Sequence, residues 1–492
     1  MLAATLVAVA FLLRGRFFGD LVSHGDEQFY LLVGDRMLHD HALPYVDIWD
    51  RKPVGLFLLF AAIRALGGEG IVEYQVVATL FAAGTAFLIG RWVLVRSGLV
   101  AALAAAIFYL FLIQKYLGFG GQAEVFVNLF SVAAGAIVHA LLTRFHRDDA
   151  LSGRVLFWGG GAAMLLSGIA IQIKTTAVFP GMVLGLALLW LGWRRGGGLS
   201  RQAGAAAFWV LVALSPSLLA AGYYYVHGHL DAFLFANFWS NALKGADHPT
   251  DIAQRNIDIA IAFGLPFGAA VAVHLLRRWR GLVDPAERVS VNFLLAWLAS
   301  GVGAFVAVGL AYPHYAMLMM PMGCILIGYL ARPKGLGWLF LAGVAVMSAR
   351  IAWQDQQRYL ANRQLSPRIA ALAEAIKPRL GDGCLYVYHG PPILYLLTES
   401  CLPTPYVFPN HLRTEPEAPA LGIDPEAEVA RILRSRPPVI VDQQAQEFHP
   451  PNLRTKRLIA EALRSDYVVL GATGGRARII AYVRKDLADK GQ

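Results

Sequence analysis

The chain has 492 residues, 57% of them hydrophobic and only 15% charged, with 43 Lys and Arg against 33 Asp and Glu for a formal net charge of +10. A soluble globular chain carries about 25% charged residues, so this composition, with a mean hydropathy of +0.51, excludes an ordinary soluble protein over most of the length. The positive charge does not point to nucleic acid: there is no basic patch with interleaved aromatics, and the excess lies in short loops between apolar runs.

Met1–Leu13 is apolar but short. It lacks the basic leader and small-residue cleavage site of a signal peptide, so it is read as a first span that is clipped or misassigned at its start. Arg14–Gly70 is a long polar-to-mixed segment containing HGDEQFYLLVGDRMLHDHALPYVDIWDRKPVGLFLLF. Phe29, Leu32, Val33 and Met37 recur every three to four residues, which predicts an amphipathic helix at the membrane surface, opened by Asp26 and Glu27. Acids at that position also suit the helix dipole, which is a purely structural reason for them. Pro53–Leu66 is apolar yet short for a crossing and carries Arg64.

A crossing helix needs about 20 apolar residues. Spans are expected at Ile71–Val95, Leu99–Ile113, Val125–Leu142, Val155–Ile173, Ala177–Trp193 and Ala203–Val226. Four more are expected at Ile257–Leu276, Val289–Ala311, Tyr315–Ala331 and Leu336–Trp353, which makes about 11 with the first. The connections at Arg91/Arg96, Arg144–Arg154, Arg194–Arg201, Arg277–Arg288 and Arg332/Lys334 hold 14 basic residues, and the alternating ones only 4. The positive-inside rule makes the first set cytoplasmic. With Pro53–Leu66 not counted as a span, the first loop, Glu124, Lys174, His314 and the carboxy-terminal region fall on the outer side. The basic first loop, with Arg14, Arg16, Arg36, Arg51 and Lys52, argues for the opposite parity, but the short length of Pro53–Leu66 outweighs it.

After Trp353 the chain turns polar and alternating, so the expected domains are a membrane domain over 1–353 and a small carboxy-terminal α/β domain over 354–492. Strands are expected at Cys384–Tyr388 and Val439–Val441, helices at Pro425–Leu433 and Leu453–Leu463, and a hairpin of Tyr467–Leu470 with Ala477–Arg484 joined by GATGG. No helix follows that glycine run, which makes it a turn and not a phosphate loop. Cys384 and Cys401 fall in this domain, and an oxidising compartment permits either a bridge or two thiols.

The pieces DEQFY and PYVDIWDRKPVG resemble the first extracytoplasmic loop of GT-C glycosyltransferases, among them protein O-mannosyltransferases and lipid A aminoarabinose transferases. GGQAEVF, GIAIQIKTTAVFP and YPHYAMLMMP follow in the matching order, so the resemblance covers roughly Phe17 to Ala331. It implies an all-α polytopic membrane domain of GT-C type in a cell (inner) membrane, with the active site and the carboxy-terminal domain extracytoplasmic. It also implies transfer of a sugar from a polyprenyl-phosphate donor to a hydroxyl of a lipid, glycan or protein acceptor, with inversion. In that chemistry Asp26 is the general base and Glu27 orients it or binds the acceptor. Lys52, with Arg51 beside it, holds the donor phosphate as charge develops.

Glu124 is then a substrate or metal contact, against a bland reading as a loop acid. Lys174 lies between two apolar runs, where an ionisable group marks a functional site or snorkels to the interface. His314 and Tyr315 line the sugar pocket or belong to an interfacial belt. His227, His229 and His248 lack metal-ligand spacing, so a divalent cation is allowed but not required, and no other cofactor is implied. The rival class is a transporter or flippase of lipid-linked glycans, which would show inverted repeats and charges near the bilayer midplane. No convincing repeat is present, and the polar residues gather towards one face.

Overall fold

The computed structural model describes residues 1–22, 24–148, 151–246, 248–309, 311–444, 449–474 and 478–488. The first helices are α1 (Leu2–Arg14), α2 (Gly25–His39), α3 (Val54–Arg64), α4 (Ile71–Lys115), α5 (Ala123–Asp148), α6 (Gly153–Ile173), α7 (Val178–Arg194) and α8 (Leu199–Val226). The chain divides into two compact units whose pieces alternate along the sequence. One comprises Met1–Arg16, Gln75–Ala220 and Ile252–Gln356; the other comprises Phe17–Tyr74, Ala221–Asp251 and Gln357–Gln492.

The first unit is helical. Among the described residues, 8 helices are long and apolar enough to cross a membrane, including Pro249–Trp279, Pro285–Val308 and Pro313–Leu330. The chain is thus a multi-pass membrane protein. One of the 8, α4, runs for 45 residues but breaks at Gly98, with φ 83° and ψ 176°. A Cβ placed on Gly90 would lie 3.4 Å from Ala106 Cβ and 3.5 Å from the Ala102 carbonyl. Residues so far apart on a straight helix meet only if the chain folds back, so α4 is two helices joined at one glycine. The spans expected at Ile71–Val95 and Leu99–Ile113 are these two arms.

Small residues let the helices approach closely, as membrane bundles require. Gly168 abuts the Ala213 carbonyl, Gly160 faces Trp209 and Gly135 faces Trp297. Helix α1 has 13 residues and the helix Gly337–Leu380 has 44, and neither belongs to the 8. The latter runs unbroken through the expected boundary after Trp353. Its polarity changes there, but its helix-forming residues continue, so hydropathy marks a change of surroundings and not the end of a helix.

In the second unit, α2 is buried from Glu27 to Asp35. It packs on α3 through Phe29–Phe57 and Tyr30–Phe60 ring contacts, and Gly34 leaves no room for a Cβ against the Phe60 backbone. Its polar residues are paired too: Arg64 Nε donates to Asp35 Oδ1 at 2.8 Å, and Gln28 Nε2 donates to the Leu21 carbonyl at 2.9 Å. With 11 residues, α3 is about 16 Å long, well short of the ~30 Å hydrocarbon core.

The carboxy-terminal sheet has strands β1 (Tyr386–Val387), β2 (Val439–Gln444), β3 (Tyr467–Ala472) and β4 (Arg478–Arg484) in the order β1-β2-β4-β3. The β1–β2 pair is parallel and the others antiparallel. Helices Pro425–Arg434 and Leu453–Asp466 are capped by Asp424 and Asn452. They bury Val429, Ile432 and Ile459 in one cluster with Tyr386, Ile440 and Tyr467. Strands, helices and hairpin lie where the alternating pattern predicts them, although part of the GATGG turn lies outside the described residues. Cys384 and Cys401 are bridged, with Cα atoms 4.9 Å apart, and Cys324 is a buried free thiol.

Candidate functional site

In the first unit, three distant stretches of sequence deliver Glu124, Lys174, His314 and Tyr315 to one place. Glu124 stands in the first turn of α5 and is fully buried, where the helix dipole favours its charge. Lys174 ends α6 in extended backbone and opens the short turn into α7. Its ammonium donates to Glu124 Oε1 and lies 3.9 Å from the centre of the Tyr315 ring. His314 stands edge-on to Tyr315 at 4.5 Å and is stacked with Tyr312 at 5.9 Å. Lys174 is only 6% exposed, so it is an internal ion pair and not a snorkelling interface residue. Glu124 Oε2 accepts no hydrogen bond among the described residues.

Two residues that the sequence reading did not single out hold this cluster. Asn128, one turn beyond Glu124, donates to Tyr109 Oη at 3.2 Å and to the Met317 carbonyl at 3.1 Å, which fixes the segment bearing His314. Arg14, 1% exposed, donates to Thr79 Oγ1 at 2.9 Å, to the Gly120 carbonyl at 2.7 Å and to the Gly118 carbonyl. It thereby clamps the glycine loop that leads into Glu124. Its place at the end of an apolar run gives the sequence-level signal: a charge there is expensive and asks for a partner.

In the second unit, Asp26 and Glu27 occupy the first turn of α2. His24 caps the helix, its Nδ1 accepting from the Asp26 N–H at 3.3 Å while lying 3.6 Å from the Asp26 carboxylate. The Asp26 side chain keeps 16% exposure, whereas Glu27 has none. The loop from Pro44 to Lys52 is held by its own backbone. Tyr45 Oη donates to the Lys52 carbonyl at 2.8 Å, and Lys52 N–H donates to Asp50 Oδ1 at 2.8 Å. Tyr45 is buried with φ 72°, a left-handed conformation costing a side-chain-bearing residue on the order of 1–3 kcal/mol and typical of functional loops. The Lys52 ammonium lies 5.5 Å from the Tyr30 ring centre.

Arg51 is committed elsewhere. Its Nη2 donates to Glu417 Oε2 at 2.6 Å and its Nε to Ser240 Oγ at 3.3 Å, while Lys244 Nζ lies 2.8 Å from the other Glu417 oxygen. Burial alone would push the Glu417 carboxyl up, but Arg51 and Lys244 outweigh it and hold it well below the usual carboxylate range. His411 Nε2 lies 3.8 Å from Asp50 Oδ2, and burial pushes this imidazole down to about 4 against the pull of Asp50 and Glu417. The sequence gives no local sign of this network, because Glu417 and His411 lie more than 350 residues from the loop they hold. Among the described residues, no group of three or more His, Cys, Asp or Glu is placed to hold a metal ion.

No family model matches the chain, and no curated protein matches its sequence. Among solved structures it is similar to the crystal structure of ArnT from Cupriavidus metallidurans bound to undecaprenyl phosphate. The two are 15% identical with a TM-score of 0.61, over 99% of this chain and 98% of that one. The apo form of the same protein matches over the same shares with a TM-score of 0.56. The likeness is one of fold, and it shows that the chain has the fold of the GT-C glycosyltransferases.

Proposed function

We propose that the chain is an integral membrane glycosyltransferase that moves a sugar from a polyprenyl phosphate to a hydroxyl of an extracytoplasmic lipid, glycan or protein acceptor. The observation that carries this reading is the GT-C fold over 99% of the chain, shared with a protein crystallised with undecaprenyl phosphate. Asp26 takes the acceptor proton, the acceptor oxygen attacks the anomeric carbon, and the carbon–phosphate oxygen bond breaks with its electrons leaving on the phosphate. Attack opposite the leaving phosphate inverts the anomeric carbon. Asp26 suits the base, since it is partly exposed in the first turn of a buried helix. Glu27, buried in the same first turn, orients it or binds the acceptor. Lys52 is the principal phosphate clamp. Arg51 supports it, and its hold on Glu417 makes it the second cation rather than the first. Glu124, Lys174, His314 and Tyr315 bind substrate, with the aromatic pair supplying a face for a sugar ring.

The test uses folded, detergent-purified protein and a polyprenyl-phosphate sugar. Asp26→Asn keeps size but cannot take a proton, so transfer falls by about 10²–10⁴-fold while donor binding persists. Lys52→Ala removes a charge-assisted contact, weakening donor binding by about 1.5–3 kcal/mol as well as slowing transfer. Near-normal turnover by Asp26→Asn would sink the assignment. Sidedness has its own check on intact cells. Single cysteines replacing the exposed His41 and Asn241 should react with an impermeant maleimide, and one replacing Ser200 only after permeabilisation. Protection of the residue-41 cysteine would overturn the outward placement of the first loop. The Cys384–Cys401 bridge supports an oxidising outer compartment for the carboxy-terminal region.

A further inference from the structure

The first unit holds a second polar recess, well removed from Glu124. His139 lies on α5, as Glu124 does, 15 residues further along; at helical rise that is about 22 Å. It therefore lies towards the end of the bundle where the basic connections gather. A cavity of about 330 Å³ opens there between α4, α5, Pro285–Val308 and Pro313–Leu330. That is large enough for a small-molecule site, which starts at about 300 Å³.

The recess has two kinds of wall. Leu88, Val95, Ala136 and the exposed Ala140 make an apolar flank. The floor is polar and locked. His139 Nε2 meets Ser290 Oγ at 2.8 Å, its ring lies 4.5 Å from that of Trp92, and Trp92 Nε1 donates to Tyr329 Oη at 3.1 Å. Two arginines stand at the mouth, and they differ. Arg96 is neutralised by Asp284 Oδ2 at 2.7 Å and Glu287 Oε2 at 3.0 Å. Arg91 is exposed and has no carboxylate partner among the described residues. A fixed polar floor, an apolar side wall and the exposed Arg91 guanidinium describe a site for an amphiphile with an anionic head.

We propose that this recess binds one anionic glycerophospholipid from the leaflet on the side of the basic connections. Its phosphate meets Arg91, its head reaches the His139–Ser290 floor, and an acyl chain runs along the Ala136–Ala140 flank. The volume suits a headgroup and the start of a chain, and lipid is the only amphiphile present at high concentration at that depth. Basic pockets between spans on a negatively charged leaflet are suited to such heads. The site is independent of the glycosyltransferase reading.

Native mass spectrometry of the full chain, released from nanodiscs of dioleoyl-phosphatidylcholine doped with dioleoyl-phosphatidylglycerol, tests it. The protein should retain one phosphatidylglycerol in preference to phosphatidylcholine. Arg91→Glu should weaken that retention by about tenfold or more, the loss of one charge-assisted contact to the lipid phosphate. Ala140→Trp, which fills the flank from its exposed side without touching a charge, should do the same and keeps the test open if Arg91→Glu folds poorly. Lys334→Glu, on the same side but outside the recess, should leave retention unchanged. Equal retention of the two lipids, or equal losses in all three variants, would overturn the proposal. So would displacement of the bound lipid by millimolar inorganic phosphate, which would make this a site for a soluble anion instead.

Discussion

Glu124 and Glu417 are both buried carboxylates facing cations, yet the two regions balance their charges differently. Glu124 is fully buried and has one ammonium, Lys174, itself 6% exposed. Glu417 has two cations, Arg51 and Lys244, whose side chains keep 12% and 18% exposure. Where helices are surrounded by lipid, a stranded charge finds little water, so Glu124 depends on Lys174. In the second unit both cations keep some exposure to water, and the Glu417 carboxylate organises two basic side chains. The difference teaches that a buried pair's sensitivity to mutation follows from what can replace a lost partner, and less from the length of its hydrogen bond.

The comparison breaks most visibly at Lys174. Lys174→Met should cost about 3–5 kcal/mol by stranding Glu124, whereas adding Glu124→Gln should recover most of that loss. Thermal unfolding of the purified protein reads both, and a Lys174→Met protein as stable as the parent would mean that Glu124 does not carry a buried charge. The second region also has a covalent tie, closing a sequence separation of 17 residues. Its removal in Cys384→Ser/Cys401→Ser should cost about 3 kcal/mol. A melting midpoint unmoved by dithiothreitol would show that the tie is absent in the protein. Glu417→Gln should cost less than the Lys174 change, about 1.5–3 kcal/mol, because solvent can take over part of the duty towards Arg51 and Lys244. A larger loss than for Lys174→Met would reverse the comparison.

The most gradual effect is a slope with pH. His411 binds its proton only near pH 4 in the folded chain, against about 6.5 when unfolded. The unfolded state therefore takes up a proton across that window and the folded state does not. Stability from this group is complete above pH 6.5 and drains as pH falls towards 4, by at most about 1.4 kcal/mol per pH unit. His411→Gln should flatten the acid limb of the stability profile, and an unchanged limb would place the titration elsewhere.

Much of this architecture was readable from pattern. The span limits, the short α3 and the order of strands and helices after Val439 follow from hydropathy, alternation and caps. The count of spans was harder to read, because α1 is apolar but short and the apolar start of Gly337–Leu380 soon turns polar. Half of the candidate site was equally accessible. Glu124, Lys174 and His314 each looked anomalous beside an apolar run, and the fold brings them together. Glu417, His411, Lys244 and Ser240 were invisible for the opposite reason. Each is an ordinary polar residue in an ordinary polar stretch, and only long-range packing turns them into partners of Asp50 and Arg51.

The fold-back at Gly98 has a practical consequence. Two membrane helices meet there with a single residue of slack, at φ 83°. A side chain at this position would be strained, and an inserted tag would have to be absorbed by unwinding one of the arms. The stretch at Gly196–Gly198 is different. It is a true loop between α7 and α8, and Gly196 and Gly198 have open space around them. Epitopes or fluorophores belong there, and a chain split and re-expressed as two fragments should reassemble when cut at 197 but fail when cut at 98.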